Sequence, residues 1–331
     1  ASGMLLLDVQ NKCWSKEMLD ICGIREEQLP KLYESYEVVG NLKPEIAEEL
    51  GLGTDVKVIA GAGDNAAAAV GTGVVTDGRA FTTIGTSGVV FAHSSQLTID
   101  KKGRVHTCCA AVPGAWHVMG VTQAAGLSLK WFKDNFCQDY VEEGKQLGTD
   151  PYDRINREIE SIPPGSDRLI YLPYLMGERT PHLDPDCRGV FFGLSAIHTK
   201  AHMLRAVMEG VSYSLCDCND ILREMGIEVQ EMMACGGGGK SAVWRQMLAD
   251  LYRCEVKTLS QSEGPALGAA ILGGVSCGVY ESVEAACKRL ISMDQSTSPL
   301  PEREKTYEAF HQLYKELYGQ LKDSYKKLAS L

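Results

Sequence analysis

Twice in this chain a short strand-like run stops at a cluster of glycines and gives way to a helical stretch. Val56–Ala60 leads into Gly61-Ala62-Gly63-Asp64 and then the alanine-rich Asn65–Val70. Glu231–Cys235 leads into Gly236–Gly239 and a second helical segment that runs to Leu251. A buried strand that ends in glycine and turns directly into a helix is the repeating unit of layered α/β proteins. Further strand-like runs at Ala80–Ile84, Gly88–Ala92, Trp116–Val121, Leu169–Leu172 and Val256–Leu259 extend the alternation. Helical patterns cover Ala124–Asn135 and Lys200–Met225, where Leu204, Val207, Met208, Val211, Leu215 and Leu222 define one apolar face. Polar residues 14–50 and 139–167 read as helical surface segments, and the small residues of EGPALGAAILGG (263–274) as a helix packed closely on a sheet. In the last segment Tyr307, Phe310, Tyr314, Leu317 and Leu321 recur at 3-4-3-4 spacing, which suits either a short coiled-coil seam or a terminal helix docked on its own domain.

The length of 331 residues allows about two domains. The turn Thr76-Asp77-Gly78 marks the expected boundary, dividing 1–77 from 78–331. With 33 basic and 43 acidic residues the formal charge is −10, which argues against nucleic acid or an anionic membrane as the main partner. No apolar run approaches a membrane span. The twelve cysteines contain no CxxC pair and the seven histidines no ligand spacing, so no structural metal site is expected. Cys216, Cys277 and Cys287 lie in apolar or helix-like runs and read as small core residues, a usage that suits the reducing cytoplasm.

Four segments could carry chemistry. Gly61–Ala66 fits the outline of a dinucleotide-binding loop, but the acidic residue expected about 20 positions later is absent from Phe81–Gly85. Asp64 at this junction could act as a general base or simply cap the helix. Gly85-Thr86-Ser87-Gly88 offers backbone N–H groups and hydroxyls to an anion, or is a plain hairpin turn. It is no nucleophile elbow, because Val89 stands where that motif needs glycine. Gly236–Gly239 with Lys240 and Ser241 resembles the tail of a P-loop, but Ala234 occupies the position of its first glycine. What remains is a strand, four glycines and a helix N-terminus that can lie flat against a nucleotide. Gly177–His182, GERTPH, follows an apolar run and reads as lining an edge of the core.

Together these segments resemble the FGGY family of carbohydrate kinases, within the actin-like ATPase superfamily. The most specific match is GVFFGLSAIHTKAHMLRAVMEG, residues 189–210, in which Gly189, Phe191, Gly193-Leu194, His202-Met203 and Ala206-Val207-Met208-Glu209 follow the family's C-terminal signature. GAGDNAAAAVG, WRQMLADL and LPYLMGERTPH agree with it, the last pointing to D-xylulose as the sugar; gluconate, ribulose and glycerol are the alternatives. The resemblance implies a ribonuclease H-like α/β domain, with a mixed sheet flanked by helices, preceded by the end of another domain of the same type. It implies ATP with Mg²⁺ as the phosphoryl donor. Asp64 would then be the catalytic base and Asn65 a sugar contact. Gly85, Thr86 and Ser87 would hold the phosphates, while Gly126, Gly236, Gly237, Gly238 and Ser241 would hold adenosine. The family is often dimeric, so a homodimer is a further expectation. The superfamily's first phosphate loop, D-x-G-[TS], starts at none of Asp8, Asp55, Asp64 or Asp77. The resemblance therefore implies the C-terminal part of such a kinase, with a missing N-terminal domain or a separate N-terminal chain as partner. Such a chain would bind nucleotide without turning over alone.

Overall fold

In the computed structural model, which describes residues 1–260 and 264–331, glycine and proline cut the first fifty residues into short pieces. β1 (Leu7–Asp8) and β2 (Cys13–Trp14) form a small hairpin, and α1 (Lys16–Cys22) follows, capped at its start by the Ser15 hydroxyl and stopped by Gly23 at φ +65°. β3 (Val38–Asn41) pairs with β4 (Lys57–Ile59) around α2 (Pro44–Leu50), which starts at a proline and ends at Gly51. Residues 14–50 are thus helical as their polarity suggests only in short pieces, α1 and α2, with β3 between them. Each break ends a helix after about two turns, because proline removes a donor and glycine accepts the left-handed cap.

After β4 come α3 (Asp64–Gly71) and the hairpin of β5 (Arg79–Ile84) with β6 (Gly88–Ser94). β7 (His106–Cys109) and β8 (Trp116–Thr122) follow; β7 was not visible in the residue pattern. Next are α4 (Gly126–Phe136), α5 (Gln138–Leu147), α6 (Pro151–Glu160), β9 (Ile170–Leu172), β10 (Val190–Phe192) and the long α7 (Lys200–Glu224). The rest is β11 (Glu231–Cys235), the single turn α8 (Gly236–Gly239), α9 (Ala242–Tyr252), β12 (Glu255–Leu259), α10 (Gly264–Ser276), α11 (Val283–Leu290), β13 (Met293–Thr297) and α12 (Pro301–Ala329).

Seven strands form one mixed sheet in the order β13-β12-β11-β5-β6-β8-β7. β11 runs parallel to both β5 and β12, and the other pairings are antiparallel. Side chains alternate across β5. Ala80 and Ile84 join the large core built with α4, α7, α9 and α12, whereas Phe81 packs on the opposite face with Ala69 of α3. Helices therefore cover both faces, as expected of the mixed sheet. α12 docks on its own domain, with Tyr307, Tyr314 and Leu317 buried in that core.

Two readings of small residues need correction. α10 packs on another helix, α3, and not on the sheet: a Cβ at Gly268 would lie 1.8 Å from the Ala67 carbonyl oxygen, and one at Gly71 would lie 1.7 Å from that of Gly264. Glu263, the first residue of that motif, lies outside the described residues. Cys216 and Cys287 are buried as expected, but Cys277 follows the end of α10 and is exposed. All twelve cysteines are free thiols. No helix among the described residues is long and apolar enough to cross a membrane.

Candidate active site

Asp64 sits where two cavities meet. One, of about 700 Å³, is walled by Gly236, Gly237, Gly239 and Lys240 on one side and by Gly264 and Pro265 on another. The second, of about 560 Å³, is walled by Tyr33, Glu34, Gly61–Gly63, Cys108 and His117. Asp64 and Asn65 line both. Gly63, extended at φ −62° and ψ 156°, is the residue that caps α3. Asp64 is therefore the first residue inside the helix, and the simple-cap reading does not hold. Its exposed carboxylate accepts hydrogen bonds from its neighbour Asn65, from the backbone N–H at 2.7 Å and from the side-chain amide at 3.4 Å. The helix dipole favours negative charge at this end.

The remaining glycine segments converge around Ile84 and Gly85. A Cβ at Gly236 would lie 2.8 Å from the Ile84 carbonyl oxygen, and one at Gly238 would lie 2.6 Å from the Ile84 side chain. Gly126 donates its N–H to the Gly85 carbonyl at 2.8 Å, and its Cβ would lie 2.4 Å from that oxygen. Ala125 and Leu127 donate to the Thr86 carbonyl at 3.1 and 3.2 Å. The β5–β6 turn, the start of α4 and the four-glycine turn are thus packed on one another, with Gly85 and Thr86 exposed.

The glycines divide by task. A Cβ at Gly237 would meet no atom within 4 Å, so this residue presents bare backbone to the larger cavity. Gly238 faces the protein. Ser241 accepts from the Trp244 N–H at 3.2 Å and donates to Asn156 at 2.8 Å, so its hydroxyl seats α9. Arg245 lines the same cavity but spends Nη1 on the carbonyls of Gly239 and Lys240, at 2.8 and 2.9 Å, holding the turn in place. Among the described residues Asp64 and Asp294 are the carboxylates lining this cavity.

Residue types alone did not flag two buried clusters. Glu209, in the signature segment, accepts from Arg205 Nε at 2.9 Å, the Gly165 N–H at 3.0 Å, the Ser166 hydroxyl at 2.9 Å and the Tyr307 hydroxyl at 3.2 Å. It ties α7 to α12 and to the turn before β9. Burial pushes its pKa up, and Arg205 pulls against that. The second cluster gathers Cys216, Asp220 and His311, with donor atoms within 4.8 Å of one another. Lys315 at 3.2 Å and Arg223 at 3.5 Å already neutralise Asp220. Burial opposes charge on His311, but Cys216 and the 2.8 Å hydrogen bond to Asp217 push its pKa up to about 10. Burial raises Asp217 as well, so the pair keeps a proton well above neutrality. This cluster anchors α12 as a buried ion pair.

A mixed sheet covered on both faces, with glycine turns gathered at one end beside a helix-borne carboxylate, is the architecture of the actin-like ATPases. The family model described as FGGY family of carbohydrate kinases, C-terminal domain, matches residues 80–277, and the corresponding N-terminal domain model matches residues 1–71. The chain belongs to the FGGY family of carbohydrate kinases. Both domain models are represented, residues 1–71 matching the N-terminal one, so an N-terminal domain wholly absent from this chain is not supported. The xylulose kinase of Bacillus subtilis (strain 168) is 37% identical over 98% of this chain and 63% of that protein. The gluconokinase of the same organism is 34% identical over 99% of this chain and 64% of that protein. Among solved structures, ligand-bound xylulose kinase from Lactobacillus acidophilus superposes with a TM-score of 0.89 at 29% identity, covering 98% of this chain and 64% of that one. The chain thus spans a little under two thirds of the length of the relatives it matches.

Proposed function

We propose that this chain carries the phosphotransfer chemistry of an ATP-dependent sugar kinase whose substrate is D-xylulose. The observation that carries this reading is the position of Asp64, on the wall common to a glycine-lined cavity and a second, more polar one. In this account a ketose hydroxyl in the smaller cavity attacks the γ-phosphorus of ATP in the larger one. An O–P bond forms to the sugar, the bond from the γ-phosphorus to the bridging oxygen breaks, and the hydroxyl proton passes to Asp64. The products are ADP and D-xylulose 5-phosphate. Asn65 orients the sugar beside Asp64. Gly85, Thr86 and Ser87 receive the phosphates, Gly236 and Gly237 form the nucleotide wall, and Gly126, packed on Gly85, seats the phosphate turn beside it. Gly238 and Ser241 support that wall from behind, through Ile84 and α9.

Phosphoryl transfer needs positioning and charge neutralisation more than covalent help. Mg²⁺ carried on the nucleotide would supply much of that neutralisation. The site fits it: Mg²⁺ is usually held by one or two carboxylates together with substrate phosphates, and Asp294 is available while Asp64 serves as the base. We place the division between a sugar-side unit, 1–77, and a nucleotide-side unit, 78–331, at the turn before β5. A cytoplasmic, homodimeric kinase is the setting we propose for it.

The test is ADP release by the purified chain with ATP, Mg²⁺ and a panel of D-xylulose, D-ribulose, D-gluconate and glycerol. Release with D-xylulose at least tenfold above the others is expected. A preference for gluconate would overturn the sugar while leaving the kinase reading in place, and no sugar-dependent release at all would overturn both.

A further inference from the structure

The GERTPH loop, which pointed to the sugar, lines neither cavity at Asp64; its buried carboxylate bonds instead to the segment that follows β8. The loop is closed on itself by paired hydrogen bonds between Glu178 and Asp184, both 2.9 Å, and is stitched to the end of β8. Thr180 donates its N–H to the Val121 carbonyl at 3.0 Å, and its hydroxyl accepts from the Val121 N–H at 3.1 Å. Glu178, only 4% exposed, extends this stitching by two residues. Oε1 accepts the backbone N–H of Gln123 at 2.8 Å and that of Arg179 at 2.8 Å, and Oε2 accepts the Ser214 hydroxyl at 3.3 Å. The Arg179 guanidinium turns away to His106, 2.8 Å off, so donors of hydrogen bonds and not a paired cation hold the carboxylate.

Gln123 begins the segment that delivers the N–H groups of Ala125, Gly126 and Leu127 to the carbonyls of Gly85 and Thr86. A buried carboxylate is costly, and its bonds to N–H groups are about twice as strong as neutral ones. The segment fixed by that stronger bond is the one that fixes the β5–β6 turn. We propose that Glu178 is a positioning residue for the phosphate loop, holding Gly85–Ser87 at its working height through Gln123 and the start of α4. The inference rests on the nucleotide reading above, and it gives the GERTPH loop, read as an edge of the core, a part in phosphate recognition.

The test compares ADP and adenosine as ligands of the full chain by titration calorimetry at pH 8, where Glu178 is largely ionised. Only ADP reaches a phosphate loop, so Glu178→Gln should weaken ADP about tenfold and leave adenosine unchanged. Hydrogen exchange at Ala125, Gly126 and Leu127 should quicken in the same variant. Ser214→Ala, which frees one carboxylate oxygen without touching the charge, should give the same selectivity with about a twofold loss. Ser214→Ala provides the test if Glu178→Gln does not fold. Unchanged ADP affinity in either folded variant, or equal losses for ADP and adenosine, would overturn the inference alone. A wild-type chain that binds neither ligand would overturn the nucleotide reading, and this inference with it.

Discussion

Glu178 has no cation to hold its charge, and burial pushes its pKa up to about 7 against the pull of the Arg179 and Gln123 amides and Ser214. Folding therefore favours the neutral acid. Its contribution to stability is complete below about pH 4.5 and is lost as pH rises through about 7. A shift of that size corresponds to about 3 kcal/mol. Urea unfolding at pH 4 and pH 8 should show the wild-type chain losing about that much more stability than Glu178→Gln across the interval. Parallel losses in the two proteins would contradict this assignment. Asp64, by contrast, was legible as a candidate from the strand–glycine–helix pattern alone. The pattern did not resolve whether it caps the helix or stands inside it, because that depends on the backbone angles of Gly63.

At the scale of elements, the crossing of α3 and α10 sets where Asp64 stands. The helices approach so closely that Gly268 and Gly71 have no room for a Cβ. Gly268→Ala must push α10 away from α3, at a cost of about 1–3 kcal/mol. Thermal unfolding should therefore fall by several degrees, while the same change at Gly273, where a Cβ meets nothing within 4 Å, should leave it close to wild type. Equal effects at the two positions would contradict the close crossing. The small residues of this motif announced a close approach but not its partner, because their spacing says how near a neighbour can come and nothing about whether it is sheet or helix. Cys277 was misread for a related reason. The apolar run continues past the last helical residue, and only the turn at Gly278, with φ +73°, shows that the chain has left the core. The strands of the main sheet were easier to read. Those of β5, β6, β8, β11 and β12 are β-branched or apolar runs bounded by glycine or charge, whereas the short edge strand β7, half exposed, carries little such signal.

For the whole molecule, the sequence carried the family and the fold but not the two cavities, which exist only where segments as remote as Tyr33 and Gln295 are brought to the same carboxylate. Gly237 and Asp64 are remote in the chain, and no local pattern states that they face one space. The most specific family segment, residues 189–210, carries a structural tie. Its glutamate, Glu209, is buried beneath α12 and binds α7 to the turn before β9. The charge of −10 also has a clearer place. The proposed anion is met by backbone amides and its own metal ion, with Lys240 as the exposed cation on that wall. The central claim is that Asp64 takes the proton between the two cavities. Rates of ADP release with saturating ATP and D-xylulose, measured for the wild-type chain and Asp64→Asn, test it most directly. The account predicts a fall in kcat of about 10²–10⁴-fold with ADP affinity unchanged; a variant that turns over at the wild-type rate would contradict it.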